Sequence, residues 1–230
     1  MSSPTDIPEP LDAQWRRLLL PFGIPQPSIT AALDDLAGRY SEPSRHYHNL
    51  THLQEVLAVI SGLVGAEADA PAVRLAAWFH DAVYDSRASD NEERSADLAE
   101  AVLIPLGLPS DLVANVRRLV MLTKTHRAAA DDREGHILLD ADLAILGVEE
   151  GRYDDYACAI RHEYAWIAED TYCEGRRRVL EGFLKRPRIY LTDAIFRSHE
   201  ERARRNLRRE LDLLNVMRQG AIPVKRPAGS

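Results

Sequence analysis

A histidine and an aspartate side by side in an apolar segment constrain this chain more than any other feature. His80 and Asp81 interrupt the hydrophobic run AAWFHDAVYD at residues 76–85. Apolar residues recur around them at helical spacing, and five fall within roughly 60° of His80 on a helical wheel: Val73, Ala76, Ala77, Val83 and Tyr84. The pattern predicts a helix that turns His80 into the core, with Asp81 one step round the same helix.

The buried pair has two interpretations. Burying an ionisable group costs several kcal/mol unless the group is paired or bound to a metal. A neutral imidazole and a carboxylate from adjacent positions form a compact nitrogen and oxygen ligand pair for a divalent cation. The simpler interpretation is a core histidine tied to its neighbouring carboxylate, and the pair alone does not decide between the two.

A second group of histidines lies upstream, in the segment SRHYHNLTH at residues 44–52. Asn49 is a suitable N-cap, so we expect a helix from about Leu50 to Leu63. His52 shares a face of this helix with apolar residues and is predicted to point inward. His48, just before the helix, is predicted either to reach the same cavity or to hold the loop.

A third polar interruption occurs in the apolar stretch LLDADLAIL at residues 138–146. On a helix, Leu138 and Leu146 lie about 40° to either side of Asp142, whereas Asp140 lies near 160°. Asp142 is therefore predicted to point into the core, and Asp140 to face solvent or a neighbouring loop.

Composition excludes several classes of protein. The formal net charge of −7 argues against general nucleic-acid binding, which needs a basic surface. No apolar run approaches the roughly 18 residues of a membrane span, and no signal-peptide pattern opens the chain. The two cysteines form no CxxC motif, which favours a reducing, cytoplasmic compartment.

Helical periodicity recurs along the chain, and no block of alternating residues predicts strands. We therefore expect an all-α, single-domain helical bundle over residues 11–218. A metal-site core would occupy about residues 45–147, followed by C-terminal helices at 149–218. Residues 1–10 and 219–230 are predicted to be flexible ends.

The order of these residues, H…HD…D on a helical chain, resembles the HD-domain superfamily of metal-dependent phosphohydrolases. The likeness spans roughly residues 48–146 and includes the segments RHYHN at 45–49, WFHD at 78–81, DNEE at 90–93 and DLAILG at 142–147. These segments look like a branch usually labelled predicted HD-type phosphohydrolase. A helical bundle with coincidental buried histidines and aspartates is the alternative without function.

The resemblance implies a metal held by His52, His80, Asp81 and Asp142. Such a set suits an octahedral cation: Mn²⁺, Mg²⁺, Co²⁺, Ni²⁺ or Fe²⁺. The implied reaction is hydrolysis of a small phosphate ester or anhydride, with a nucleotide favoured. Two alternatives stay open: an oxygen-dependent enzyme with two irons, as in some HD-fold proteins, and a sensor that binds a nucleotide without turnover.

Further residues are candidates for roles around the metal. Asp85 and Glu92 are candidate catalytic acids or bases. His126 and His48 could bind a second metal or a phosphate, because HD relatives with additional histidines can hold two metals. Three cations are candidates for binding an anionic substrate: Arg45, Lys124 and Arg161. A homo-oligomer is also compatible with the sequence.

Overall fold

The structure is a computed structural model that describes residues 9–64 and 70–218. Within these residues every regular element is a helix, which confirms the predicted all-α class. The α-helices, numbered in chain order, are α1 (Leu11–Leu19), α2 (Gln26–Tyr40), α3 (Leu50–Val64), α4 (Pro71–Phe79), α5 (Asn91–Leu103), α6 (Ser110–Thr123), α7 (Arg133–Asp142), α8 (Glu150–Glu163), α9 (Glu169–Leu184) and α10 (Asp193–Arg218). Short 3₁₀ turns follow α1 and α7.

The chain divides into two compact units, residues 1–144 and residues 145–230. The first unit contains α1 to α7, and the second contains α8 to α10. The predicted single domain over residues 11–218 stays a prediction. Almost all of the predicted flexible ends, residues 1–8 and 219–230, lies outside the described residues. In the part of the chain that the structure describes, no helix has the length and apolar composition of a membrane span.

Helix α4 lies at the centre of the first unit. It packs against α1, α3, α5, α6 and α7, and every residue from Ala72 to Phe79 is buried. A helix that is covered on all sides is largely apolar, which explains the hydrophobic residues before His80; its one charged residue, Arg74, donates to the Ser61 hydroxyl. Pro71 occupies the first turn, where its missing N–H leaves no hydrogen bond broken. The helix thus delivers His80 directly into the core.

The second unit is built around a buried ion pair. Arg176 of α9 donates from Nε and Nη2 to the two carboxylate oxygens of Glu210 of α10, at 2.8 and 3.0 Å. The Tyr153 hydroxyl of α8 donates to the same carboxylate. These contacts link all three helices of the unit, because one carboxylate binds side chains of the other two.

One predicted helix ends earlier than the sequence pattern suggested. Helix α4 stops at Phe79, so the prediction that Asp81 lies on the same helix as His80 is wrong. Helix α6 stops at Thr123, and His126 has a left-handed backbone with φ of 48°. In both places the chain leaves the helix close to a residue of the candidate site.

Candidate metal centre

Four side chains predicted to bind a metal converge in the first unit. The Nε2 atoms of His52 and His80 lie 3.2 Å apart. From His80 Nε2 the distances are 3.0 Å to Asp81 Oδ2 and 3.6 Å to Asp142 Oδ1. From His52 Nε2 the corresponding distances are 3.5 and 3.4 Å. All four ligand atoms lie within 4.8 Å of one another, so the cluster can hold one metal ion.

His80 is oriented by a hydrogen bond on the far side of its ring. Its Nδ1 lies 2.8 Å from the carbonyl oxygen of Ala77, one turn earlier. A carbonyl oxygen can only accept, so Nδ1 carries the proton and donates. The neutral ring therefore presents an unprotonated Nε2 to the cluster, which is the tautomer that binds a metal.

His52 is placed by the start of α3. Asn49 Oδ1 accepts from the backbone N–H groups of Thr51 and His52, at 2.9 and 3.4 Å. This is the predicted cap, and it fixes the register in which the third residue of the helix points inward. The side chain of His52 is 2 % exposed. Its Nε2 therefore meets the other members of the cluster in a desolvated position.

Asp142 is the last residue of α7 and joins the cluster as predicted, but Asp140 is not at the surface. Asp140 is fully buried, so the prediction that it faces solvent is wrong, and the alternative that it faces a neighbouring loop stays a prediction. Asp140 is buried because α7 packs against α3, α4 and α6, which leaves little of its circumference open. The prediction compared the apolar neighbours of the two carboxylates along α7 alone. It did not include the three helices that pack against α7.

The charges of the cluster depend on each other. Burial opposes charge on His80, but the Asp81 and Asp142 carboxylates outweigh it and hold the pKa of His80 well above its usual range. Burial would raise the pKa of the Asp81 carboxyl, yet the neighbouring His80 and His48 lower it well below that range. Without a cation, therefore, the imidazoles supply the positive charge that the two carboxylates require.

A divalent cation could supply the positive charge that the two carboxylates require. Two neutral imidazoles and two carboxylates carry a net charge of −2, which such a cation would cancel. Ligand atoms about 2.1 Å from a shared cation lie about 3.0 to 3.4 Å apart when adjacent in octahedral or tetrahedral geometry. The distances from the two histidines to the other ligand atoms are close to these values.

The cluster is open on its carboxylate side. The histidines are almost completely buried, whereas the side chains of Asp81 and Asp142 are 20 % and 14 % exposed. Solvent thus reaches the cluster past the aspartates. Water or a substrate could approach a cation held here from this side.

His126 contacts the cluster through Asp142. Its Nε2 lies 2.9 Å from Asp142 Oδ2, while the other oxygen of that carboxylate faces His52 and His80. The left-handed backbone at His126, uncommon for a residue other than glycine, directs the ring back toward α7. In this position His126 can hold the Asp142 carboxylate, and the predicted role at a second metal or a phosphate stays a prediction.

His48 lies beside the cluster. Its ring stacks on Tyr84, with centroids 4.1 Å apart, and meets the His52 ring edge-on at 5.9 Å. It is close enough to Asp81 to lower the pKa of that carboxyl. The second-metal or phosphate role predicted for His48 likewise stays a prediction.

The two candidate acids or bases, Asp85 and Glu92, both lie in the chain that follows Asp81. Asp85 is in the chain between α4 and α5, and its Oδ1 accepts from the Arg87 backbone N–H at 2.9 Å. Glu92 is in the first turn of α5, where its charge adds to the hydrogen bond from Lys124 to Glu93 that raises the pKa of Lys124. The structure thus places both carboxylates on the segment that follows the HD pair, without assigning either a chemical role.

Of the three predicted substrate cations, Arg45 lies nearest to the ligand residues but is buried. Only 1 % of its side chain is exposed, and its guanidinium donates to backbone carbonyls, including those of Asp81 and Ala82. Lys124 is exposed and donates to the Ser89 carbonyl and the Glu93 carboxylate.

Arg161 belongs to the second unit. Its guanidinium donates to Glu169 and to the carbonyls of Tyr164 and Ile167, and it stacks over the Tyr172 ring. These contacts give Arg161 a local structural role, and its substrate-binding role stays a prediction.

Two side chains that contact the chain after the HD pair were missed in the sequence. Ser95 binds the backbone of Val83, and Asn91 binds that of Asp85. A signal for Ser95 was present, because it precedes Ala99 and Leu103 at intervals of four residues on the buried stripe of α5. A hydroxyl on such a stripe needs a buried partner.

Comparison with protein-family models, curated proteins and solved structures gave no match.

Proposed function

We propose that the protein is a metal-dependent phosphohydrolase that acts on a small phosphate ester or anhydride, with a nucleotide as the favoured substrate class. The observation that carries the proposal is the cluster of His52, His80, Asp81 and Asp142, which is buried on its histidine side and open on its carboxylate side. The HD-like order of these residues supports phosphoryl chemistry in particular. The two unpaired cysteines accord with a reducing, cytoplasmic location.

A bound divalent cation would lower the pKa of a water molecule and polarise a phosphoryl oxygen. The chain's own residues have separate tasks. Ala77 keeps the proton of His80 on Nδ1, and His126 holds one oxygen of Asp142. Asp85 and Glu92 are the candidates for transferring protons to or from the reacting oxygens.

The test combines elemental analysis of the purified protein with a screen of nucleotides and phosphate esters. Protein stripped by a chelator should be inactive, and Mn²⁺, Co²⁺ or Ni²⁺ should restore turnover of the same substrate. Turnover that survives exhaustive chelation would contradict the proposal.

Two other outcomes would replace it. Oxygen consumption by the iron-loaded protein would establish the oxygenase alternative. Tight nucleotide binding without turnover by the fully metal-loaded protein would establish the sensor.

A further inference from the structure

The chain directly after α4 has its backbone bound by side chains from other parts of the first unit. We call residues 81–85 the ligand turn, because they begin with the ligand Asp81. Arg45 donates from Nη1 to the Asp81 carbonyl at 2.5 Å and from Nη2 to the Ala82 carbonyl at 3.1 Å. It also donates from Nη1 to the His48 carbonyl at 3.2 Å. One guanidinium thus joins the ligand turn to the loop before α3.

A second set of contacts comes from α5. Ser95 Oγ accepts from the Val83 backbone N–H at 3.0 Å and donates to the Val83 carbonyl at 3.2 Å. Asn91 does the same at the far end, accepting from the Asp85 N–H at 3.0 Å and donating to the Asp85 carbonyl at 2.9 Å. Side chains therefore bind the backbone at four of the five residues of the turn.

These contacts explain why the turn can be irregular and still be fixed. Buried peptide groups need partners, and a segment outside a helix must find them elsewhere. Rotation of the peptide after Asp81 would break the bond to Arg45 and move the Asp81 carboxylate relative to His80. The planar guanidinium reaches three carbonyls at once, which a lysine ammonium cannot reproduce in this geometry.

We infer that Arg45 and Ser95 are positioning residues of the metal centre: they hold the backbone of the ligand turn so that the Asp81 carboxylate stays beside His52 and His80. The inference rests on the proposed metal-dependent function, since it assumes that the cluster binds a cation. Arg45 then acts on the site from inside the protein and does not contact the substrate.

The first experiment titrates the metal-stripped protein with Co²⁺ and records the visible absorption bands, which report the ligand geometry. Arg45→Lys should bind Co²⁺ about 10- to 100-fold more weakly than wild type, the range found when an outer contact of a metal ligand is removed. Its absorption bands should also change. Arg74→Lys is the control, because Arg74 is a buried arginine of the same unit that donates to the Ser61 hydroxyl. It should keep the wild-type affinity and spectrum even if it lowers the melting temperature.

If Arg45→Lys does not fold, two variants that each remove only a hydroxyl group test the inference. Ser95→Ala removes the hydroxyl that binds Val83 and should weaken Co²⁺ binding several-fold with a changed spectrum. Ser61→Ala removes a hydroxyl with the same pattern, since Ser61 donates to the Leu57 carbonyl at 2.8 Å and accepts from Arg74, and it should leave binding unchanged.

The outcomes separate the inference from the proposed function. Wild-type affinity and spectrum in Ser95→Ala or in folded Arg45→Lys would overturn the positioning role and leave the hydrolase proposal standing. If wild type binds Co²⁺ and the variants behave as expected, but no phosphate compound is hydrolysed, only the hydrolase proposal fails. A wild-type protein that binds no Co²⁺ would contradict both.

Discussion

His80 differs from an ordinary core histidine in what its two ring nitrogens meet. Nδ1 donates to the Ala77 carbonyl, while Nε2 faces a second imidazole nitrogen at 3.2 Å and the Asp81 carboxylate at 3.0 Å. Two imidazole nitrogens at that distance share a proton or a cation, because two unprotonated nitrogens would repel each other. The residue is therefore useful as a direct test of metal binding.

Replacing His80 or Asp81 with alanine should reduce metal affinity by at least about 100-fold, since each change removes a ligand and outer contacts alone are worth 10- to 100-fold. Calorimetric titration measures the affinity, and far-ultraviolet circular dichroism should show that the helices remain. His136→Ala is the control, because His136 lies outside the cluster and its Nε2 contacts the Ala129 carbonyl. Full metal occupancy in His80→Ala or Asp81→Ala would contradict the assignment of the site.

The two aspartates at the end of α7 should respond in opposite ways to the same substitution. Asp142→Asn removes a charged ligand and should lose metal binding, with a smaller effect on the stability of the metal-free protein. Asp140→Asn alters a fully buried carboxylate outside the cluster and should lower the melting temperature while metal affinity is kept. Elemental analysis and thermal melting of both variants measure the two effects. Loss of metal from Asp140→Asn and its retention by Asp142→Asn would contradict the ligand set.

At the level of the residue, the sequence was sufficient where one helix face decided the outcome. The inward positions of His52, His80 and Asp142 follow from apolar neighbours on the same helix. The burial of Asp140 could not be predicted this way, because it depends on packing by α3, α4 and α6. The contacts of Arg45 could not be predicted either, because its carbonyl partners at Asp81 and Ala82 lie 36 and 37 residues away in the chain.

The helices were easier to predict than their ends. Asn49 before α3 acts as the sequence indicated. The end of α4 was missed, because nothing in the hydrophobic pattern marks it. After Phe79, side chains from sequence-distant residues take up backbone groups of the ligand turn, in place of a continuing helix.

The start of α7 shows how an element can be fixed at the end opposite to its ligand. Asp132 Oδ1 accepts from the Gly135 N–H at 3.0 Å, and its carboxylate forms an ion pair with Arg118 of α6 at 2.5 Å. A Cβ atom at position 135 would lie 2.6 Å from Asp132 Oδ2, so a larger residue there would displace the capping carboxylate. The cap therefore sets where α7 begins, and Asp142 is at its other end.

Asp132→Ala should lower the free energy of unfolding by about 1 kcal/mol at neutral pH, the usual cost of losing an N-cap. Burial would raise the pKa of Asp132, but Arg118 and the Gly135 N–H lower it below 3.8. The stabilisation is therefore present above about pH 4 and is lost as the pH falls through the lowered value. Denaturant unfolding from pH 7 to pH 3 measures the difference from wild type, which should be constant to about pH 4 and then shrink. Asp132→Asn keeps a capping side chain without the charge and should cost less. A difference that grows on acidification would contradict this assignment.

At the scale of the whole molecule, all four members of the cluster belong to the first compact unit. A ligand that binds only the folded state stabilises it by about 2.7 kcal/mol at 100 times its dissociation constant. Saturating metal should therefore slow amide hydrogen exchange most in α3, α4 and α7, which carry or precede the ligands. Exchange in α8 to α10 should change less. Mass spectrometry of the loaded and stripped protein measures both, with His80→Ala as the control that should show no metal effect. Equal protection of both units would indicate that they open together.

Helices α4 and α7 both end at the cluster: His80 directly follows Phe79, and Asp142 is the last residue of α7. The carboxyl end of a helix carries a partial negative charge from its aligned peptide dipoles, and this adds to the charge of the two aspartates. Without a metal, the imidazoles only offset this negative charge, so the centre attracts positive ions and offers phosphate no net positive charge. Binding should consequently be ordered, with the metal first and the anion second, and inorganic phosphate should bind the loaded protein and not the stripped one in an equilibrium dialysis experiment.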